Sequence, residues 1–300
     1  MNYSMKSKLH VALSGIFLLS HAPSVSAVVV SGDSPAPPLF QSPPDSTFPT
    51  LNVLGTATGA SAIYLCNNWV LTAGHVGLPD VFTQEFDAAG NETRNTATYI
   101  PGTEMRLGVT DPNTGLGSAD LRIYQVSGNL NLPCLSLYCD DPSVGTDVVM
   151  AGFGNTSLGN TSPNPLLGNY PWVTSFQSRW GTNQLETSAA DSFGNPVLVT
   201  DFSSPLDSPT MFEGQNAGGD SGGGWFINNG GTWELAGLSF AVGSTDGTSN
   251  PSEYGDRSFA YDLSDPLIKS QIQEVAYTPE PSSALLAGLS CGLLLARRRR

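Results

Sequence analysis

The chain has 300 residues, 39% of them hydrophobic, with 12 Lys+Arg against 26 Asp+Glu and a formal net charge of −14 at pH 7. A chain with this excess of negative charge repels nucleic acid and anionic lipid. We therefore expect neither as a partner.

The first 27 residues have the features of a secretory signal peptide. Lys6 and Lys8 precede an apolar run from Leu9 to Leu19, and positions 25–27 hold a Val-Ser-Ala sequence. Signal peptidase requires small residues at such a site, so we expect cleavage after Ala27 and export of the protein. Signal peptidase is therefore a predicted processing partner.

The other end of the chain combines three features in order. Pro279-Glu280-Pro281 precedes an apolar stretch, Ala284 to Ala296, and four arginines end the chain. The stretch is shorter than the roughly 20 residues of a stable spanning helix, so one interpretation is a weak anchor with its arginines on the cytoplasmic side. Residues 279–300 also resemble the PEP-CTERM sorting signal of Gram-negative bacteria. That resemblance implies transient anchoring, removal by an exosortase-like enzyme, and a final place in the periplasm, on the outer surface or outside the cell.

Removal of both ends changes the charge and the cysteine count. The ends hold six of the 12 Lys+Arg and one of the 26 Asp+Glu, so residues 28–278 carry 6 minus 25, or −19. Cys66, Cys134 and Cys139 remain, in a compartment that permits disulfides. We predict a small-loop disulfide between Cys134 and Cys139, with Cys66 as a buried apolar residue. One histidine and three cysteines make no zinc pattern, so no metal is expected.

Short β-rich runs dominate the chain after a Pro- and Ser-rich lead-in, 28–50, which we predict to be extended. Gly, Asn, Asp and Pro separate the runs, which indicates an all-β barrel or sandwich. Near the end, Ser264-Asp265-Pro266 followed by spaced apolar residues predicts one capped helix over 264–276. The predicted strands are Ser61–Leu65, Trp69–Ala73, Ala97–Ile100, Leu121–Val126, Asp147–Gly152, Trp172–Arg179, Pro196–Asp201, Gly223–Ile227, Trp233–Phe240 and Ser258–Asp262.

Three residues carry the chemistry that the sequence offers. His75 is the one histidine outside the leader, and Ser221 lies in Gly218-Gly219-Asp220-Ser221-Gly222-Gly223. A serine hydroxyl becomes a nucleophile when a base takes its proton, and the base needs a carboxylate that holds its tautomer. Asp120 directly precedes an apolar strand that would anchor it, and the other acids between His75 and Ser221 lack that setting. Backbone N–H groups of Gly219 and Ser221 would stabilise an oxyanion.

Two other serine-hydrolase arrangements fit less well. Residues 219–223 match the Gly-x-Ser-x-Gly elbow of α/β-hydrolases, but no histidine follows Ser221, as that fold requires. A subtilisin-like order needs an acid before His75, and only Asp33 and Asp45 stand there, both in the lead-in. A third alternative is a glycine-rich loop that holds an incidental serine.

The motifs around these residues resemble those of the trypsin/chymotrypsin-like serine endopeptidases, over nearly all of residues 51–275. The matching segments are Asn68 to His75, Ala119-Asp120-Leu121, Val144-Gly145-Thr146 with Ala151 to Asn155, and Gly218 to Gly223. The resemblance implies two antiparallel six-stranded β-barrels, about 51–140 and 141–263, with a catalytic cleft between them. It further implies a polypeptide substrate, an acyl-enzyme intermediate, no cofactor and a monomer.

The resemblance leaves activation and specificity open. The family's usual Ile-Val-Gly-Gly start is absent, while Asp220, the acid that this start pairs with, is present. Either the amino group of Val28 pairs with Asp220 once the signal peptide is cut, or Asp220 pairs with another group or with backbone donors. Gln215 stands where trypsin-like members carry the pocket acid, and Phe240 and Val242 fall on a predicted pocket wall. We therefore expect a small or neutral residue before the scissile bond.

Two rival functions and one further ligand stay open at this point. The first rival is a surface binding protein that keeps the barrels without catalysis, and the second is an esterase with the same fold and triad. Loops such as Asp111–Asn113 present oxygen ligands of the kind that calcium prefers, although solvated turns account for them better.

Overall fold

Antiparallel β-strands form most of the regular structure, and one helix follows them. The computed structural model describes residues 28–32, 36–87, 89–128, 130–164, 166–174 and 177–278. The predicted signal peptide and sorting tail lie outside these residues. In chain order the strands are β1 (Val29–Val30), β2 (Val53–Thr56), β3 (Ser61–Cys66), β4 (Trp69–Ala73), β5 (Val81–Phe86), β6 (Glu92–Tyr99), β7 (Met105–Arg106), β8 (Leu121–Ser127), β9 (Asp147–Gly152), β10 (Arg179–Gln184), β11 (Thr187–Ala190), β12 (Pro196–Asp201), β13 (Gly214–Gln215), β14 (Gly224–Asn229), β15 (Thr232–Gly243) and β16 (Arg257–Asp262).

The first barrel is closed by hydrogen bonds. Its strands follow the order β4-β3-β2-β5-β6-β8, and β8 pairs again with β4, while β7 adds to β8 outside the ring. The β3–β4 hairpin turns at Asn67 and Asn68, which both have positive φ, a conformation that asparagine tolerates better than most residues. The predicted first six-stranded barrel is therefore confirmed.

The second sheet curls, but backbone hydrogen bonds do not join its two ends into a closed ring. Seven strands follow the order β10-β9-β14-β15-β16-β12-β11. The Asn183 side-chain amide on β10 donates to the Asp201 carbonyl on β12 over 2.9 Å, and so joins the two strands that flank the gap. The second barrel is thus closed at this point by a side chain, and the predicted all-β architecture is confirmed.

The lead-in is packed against the second barrel. Strand β1 pairs with β13, and Leu39 N donates to Ser178 O over 2.9 Å. Phe48 is buried and meets the rings of Phe226 and Trp233 edge-on, with centroids 4.9 and 5.2 Å away. Few apolar side chains occur in 28–50, but those present are inserted into the core, so this segment contributes to the fold.

The predicted Cys134–Cys139 disulfide is wrong. Cys66 and Cys134 are bonded, with Cα atoms 4.4 Å apart, and Cys139 is free and exposed. The segment after Cys134 runs in extended form, because Leu135 N donates to Leu65 O over 2.8 Å and Tyr138 N donates to Leu235 O over 2.9 Å. An extended run carries Cys139 away from Cys134, whereas a disulfide between them would require the chain to turn back.

The helix α1 (Pro266–Ala276) lies within the predicted range 264–276. The Asp265 carboxylate caps it by accepting from Leu267 N and Ile268 N over 3.0 and 3.1 Å. Gln271 exchanges two hydrogen bonds with the backbone of Gly108, which holds the helix on the first barrel. Across the described ranges, no helix has the length and apolar character to cross a lipid bilayer.

Candidate active site

The pairing of β4 with β8 brings His75 to Asp120. Ala73, the last residue of β4, lies opposite Leu121, the first residue of β8. Asp120 therefore immediately precedes β8 at the edge where β4 ends, and His75 follows in a single 3-10 turn, 74–76. Gly74 N donates to Asp120 O over 2.8 Å and fixes the two chain segments to each other.

His75 contacts both other predicted catalytic residues. Its Nδ1 lies 2.5 Å from Asp120 Oδ2, and its Nε2 lies 2.8 Å from Ser221 Oγ. The His75 side chain is 50% exposed and that of Asp120 is 35% exposed, so a substrate has access to the imidazole. The arrangement permits proton transfer from the serine hydroxyl to Nε2 while the carboxylate holds Nδ1–H.

A tyrosine on β16 lies near Asp120. The Tyr261 hydroxyl donates to Asp191 Oδ2 over 3.1 Å. Burial raises the pKa of Tyr261 to about 12, so this hydroxyl keeps its proton at every pH relevant to the protein. Tyr261 therefore adds no charge beside the Asp120 carboxylate.

Ser61 on β3 holds the loop that carries Ser221, residues 218–223 (the serine loop), against the first barrel. Its backbone N–H donates to Ser221 O over 3.0 Å, and its hydroxyl donates to Gly219 O over 3.0 Å. The same hydroxyl accepts from Phe153 N over 2.7 Å. The loop that carries Ser221 therefore takes its position from both halves of the molecule.

The backbone at Gly219 forms a donor pair with Ser221. Gly219 has φ of +93°, and a Cβ there would lie 2.7 Å from Gly154 Cα and 2.8 Å from Gly59 O, so no other residue fits. Within the described part of the chain, neither the Gly219 nor the Ser221 N–H has a hydrogen-bond acceptor. Two unoccupied N–H groups beside a nucleophile are what an oxyanion site requires.

Asp220 is buried beneath the serine loop and faces the start of the lead-in. Its Oδ1 accepts from Gly154 N over 3.0 Å and its Oδ2 from Ala217 N over 2.8 Å, while Val28 N also donates to the carboxylate. Burial raises the pKa of Asp220 to about 7. Val28 is fully buried, so the residue that would start the mature chain already reaches Asp220.

A cavity of about 210 Å³ opens beside Ser221. Phe240 and Val242 line it, whereas Gln215 is buried outside the lining and its neighbour Asn216 takes that place. A larger cavity of about 660 Å³ lies around Trp180 and Trp233 and includes no triad residue, so the smaller one is the candidate substrate pocket. Its lining comprises Trp172, Asn216, Ala217, Gly218, Ser221, Ser239, Phe240, Ala241, Val242 and Ser249.

The comparisons with known proteins agree with this geometry. The sequence profile described as Trypsin matches residues 42–258, well over half of the chain. The chain belongs to the trypsin family. Among solved structures, a mutant of human heparin binding protein matches with a TM-score of 0.52 and 16% identity, over 84% of this chain and 99% of that chain. At this identity the likeness shows the fold alone. No curated protein matches the chain in sequence.

This trypsin-family chain has no acidic cluster at the loop for which calcium was considered. Asp111 Oδ1 accepts from Asn113 N over 2.9 Å, and its Oδ2 accepts from Thr114 Oγ1 over 3.1 Å. These hydrogen bonds lower the pKa of Asp111, and the bond from the Asn113 backbone has the largest effect. In the ranges that the structure describes, no three His, Cys, Asp or Glu residues are grouped to hold a metal ion.

A second buried acid makes the stability of this trypsin-family domain pH-dependent. Glu213 is 1% exposed and accepts from Ser203 N, Ser208 Oγ and Thr210 Oγ1. Burial raises its pKa from 4.5 to about 7. Between these values the unfolded chain ionises while the folded chain stays protonated, so folding loses up to about 3 kcal/mol as pH rises from about 4 through about 7.

Glu213→Gln, which cannot ionise, should remove that loss. We expect the difference in unfolding free energy between pH 5 and pH 8 to shrink by about 2 kcal/mol, measured by urea denaturation. Glu274→Gln, at an exposed position of α1, is the control for removal of one negative charge. An unchanged difference in Glu213→Gln would show that Glu213 ionises freely in the folded protein.

Proposed function

We propose that this chain is an exported serine endopeptidase that cleaves peptide bonds through Ser221. The observation that carries the proposal is the continuous contact of three side chains, at 2.5 Å from Asp120 Oδ2 to His75 Nδ1 and at 2.8 Å from His75 Nε2 to Ser221 Oγ. Membership of the trypsin family supports the same reaction class. An acid, a base and a nucleophile in this order are the parts that acyl transfer needs.

Each residue has one role in the proposed reaction. Ser221 Oγ attacks the substrate carbonyl while His75 Nε2 takes its proton, and Asp120 stabilises the resulting imidazolium. The N–H groups of Gly219 and Ser221 bind the oxyanion. His75 then gives the proton to the leaving amine, which leaves an acyl group on Ser221. Water, deprotonated by His75, releases the acyl group and restores the enzyme.

The proposal also covers export and processing. Cleavage after Ala27 by signal peptidase would free Val28, and an exosortase-like enzyme would remove residues 279–300 after transient anchoring. The contact of Val28 N with Asp220 supports the first step, because it places the new amino group beside a buried carboxylate. Mass spectrometry of both ends of the mature protein tests these steps together.

Two rival functions make different predictions at Ser221. The first rival is a surface binding protein. A protein of this composition would repel a polyanion such as heparin, because residues 28–278 have 25 acidic and 6 basic side chains. An esterase would share the triad. A fluorophosphonate probe should label the protein covalently, and Ser221→Ala should abolish labelling, with Ser249→Ala, in the same cavity, as a matched control.

Comparing amide with ester turnover then separates the two enzymes. We expect internal peptide bonds to be cleaved. Hydrolysis of esters alone would support the esterase, and a folded protein that the probe does not label would contradict both enzymatic proposals.

A further inference from the structure

The pocket beside Ser221 has a largely apolar lining. No described residue of the lining carries an acidic or basic side chain. Since the pocket adjoins the nucleophile, the group that fills it would be the substrate side chain before the scissile bond. The lining therefore decides which substrates this chain cleaves, provided that the proposed endopeptidase function holds. Its apolar side chains are those of Trp172, Ala217, Phe240, Ala241 and Val242.

The polar side chains of the lining contribute little to the surface that a substrate would meet. The Ser239 hydroxyl accepts from Trp225 Nε1 over 2.9 Å, so it is already engaged. Asn216 is 3% exposed, whereas Ser249 is open to solvent and so belongs to the rim of the pocket. A charged substrate side chain would therefore lose its hydration in this pocket without gaining an ionic partner.

Trp172 comes from a different part of the chain than Ala217 and Phe240. It lies between β9 and β10, whereas Ala217 directly precedes the serine loop and Phe240 is part of β15. Its indole ring packs on Gly218, because a Cβ at position 218 would lie 3.1 Å from Cζ3 of the ring. The ring therefore occupies the space that a side chain at position 218 would take, and it gives this wall of the pocket an aromatic surface.

Two hydrogen bonds hold Trp172 in this position. Its Nε1 donates to Ser252 Oγ over 2.7 Å, and its backbone N–H donates to Asn250 Oδ1 over 2.9 Å. Because Ser252 engages the N–H edge of the indole, the part of the ring that remains for a ligand consists of carbon. A wall that is fixed before binding also costs the complex little further ordering of its side chain.

We propose that Trp172 selects substrates with a large apolar side chain, such as leucine, methionine or phenylalanine, before the scissile bond. The carbon atoms of that side chain pack on the indole ring and fill the cavity of about 210 Å³. The cavity has room for several water molecules, so the methyl group of an alanine would leave most of it unfilled. Trp172 thus acts on the choice of substrate, while His75, Asp120 and Ser221 act on the bond.

The test compares peptides that differ at one residue. Internally quenched peptides with Leu, Met, Phe, Ala, Asn, Lys or Glu before the scissile bond are given to the mature protein, and kcat/KM is measured for each. Leu and Asn are similar in size and differ in polarity, whereas Leu and Ala differ in size alone. We expect kcat/KM for the best of Leu, Met and Phe to exceed that for each of the other four by about 10-fold or more. A smaller advantage would overturn the proposal.

Variants of Trp172 assign the preference to this side chain. Trp172→Ala should lower kcat/KM for the large apolar substrates by about 10-fold or more and change that for the Ala peptide by less than about 3-fold. Trp172→Phe keeps an apolar ring, so it should retain most of the preference. Trp172→Gln fills part of the same space with a polar group and should lose the preference, which keeps the test decisive if Trp172→Ala does not fold.

Phe193→Ala is the control, because it removes an aromatic ring from an exposed turn and should leave every rate unchanged. A preference for large apolar side chains that persists in Trp172→Ala or Trp172→Gln would overturn the assignment to Trp172. An equal loss of rate for every peptide would also overturn it, since that result would mean that the ring supports the fold and does not contact the substrate.

Labelling by the fluorophosphonate probe separates this inference from the proposed function. The probe reacts with Ser221 and brings no substrate side chain into the pocket, so the folded variants should be labelled within about 3-fold of the wild-type rate. An unlabelled wild-type protein would contradict the endopeptidase proposal itself. A labelled, peptide-cleaving protein without preference for large apolar side chains would contradict the role of Trp172 alone.

Discussion

Asp120→Asn should lower kcat by about 10,000-fold with little change in KM. The Asp120 carboxylate accepts from His75 Nδ1 at 2.5 Å, so the Nε2 that faces Ser221 is left free to accept a proton. A carboxamide can present N–H₂ to Nδ1 instead, which stabilises the tautomer protonated at Nε2 and removes the base. The residue does not line the substrate pocket, so the substrate should still bind.

Steady-state kinetics on one peptide substrate measure this effect, with circular dichroism to establish that the variant folds. Asp111→Asn is the matched control, because that carboxylate is hydrogen-bonded within its own exposed turn. A kcat within about 10-fold of the wild type would show that Asp120 does not hold the tautomer of His75.

A chain that begins at Val28 should be about 100-fold more active than one that begins at Ser26. In the first chain a free ammonium meets the buried Asp220 carboxylate, and in the second a neutral amide takes its place. Removal of one partner from a buried ion pair costs about 3 kcal/mol or more, which corresponds to about 100-fold in an equilibrium. Asp220 directly precedes Ser221, so that cost falls on the loop that carries the nucleophile.

The measurement compares kcat/KM of both chains after their N-termini have been verified by mass spectrometry. Asp220→Asn should abolish most of the difference between them, since the coupling requires both charges. Equal activity of the two chains would mean that the N–H groups of Gly154 and Ala217 are enough to stabilise the buried Asp220 side chain. Pairing with backbone donors was the second possibility that the sequence left open.

The contact of His75 with Asp120 and Ser221 was predictable because its sequence signals are local. His75, Asp120 and Ser221 each stand beside a short strand or in a glycine-rich turn, and their order disfavoured the other serine-hydrolase folds. The position of Asn216 in the pocket lining was missed because no signal in the neighbouring sequence distinguishes a pocket residue from another buried residue. Its place in the pocket depends on how strand β13 ends, which is a property of the fold.

Features that depend on long-range packing were also missed. The pairing of Cys66 with Cys134 spans 68 residues, and proximity in sequence favoured Cys139 instead. Strand β5 carries mixed polar and aromatic residues, so its pattern did not indicate a strand, although β2 and β6 pair with it. In the predicted strand 172–179, Val173 makes an isolated bridge with Thr156, and regular pairing begins at Arg179.

Ser61 joins parts of the protein that come from separate halves of the chain. His75 and Asp120 belong to one half and Ser221 to the other, so neither half holds all three of the proposed catalytic residues. A relative shift of about 1 Å between the two halves at Ser61 would lower the rate of the proposed reaction by about 100-fold, even with every strand still paired. If the proposed peptidase activity holds, we therefore expect heating to reduce it at a temperature below that at which the strands unfold.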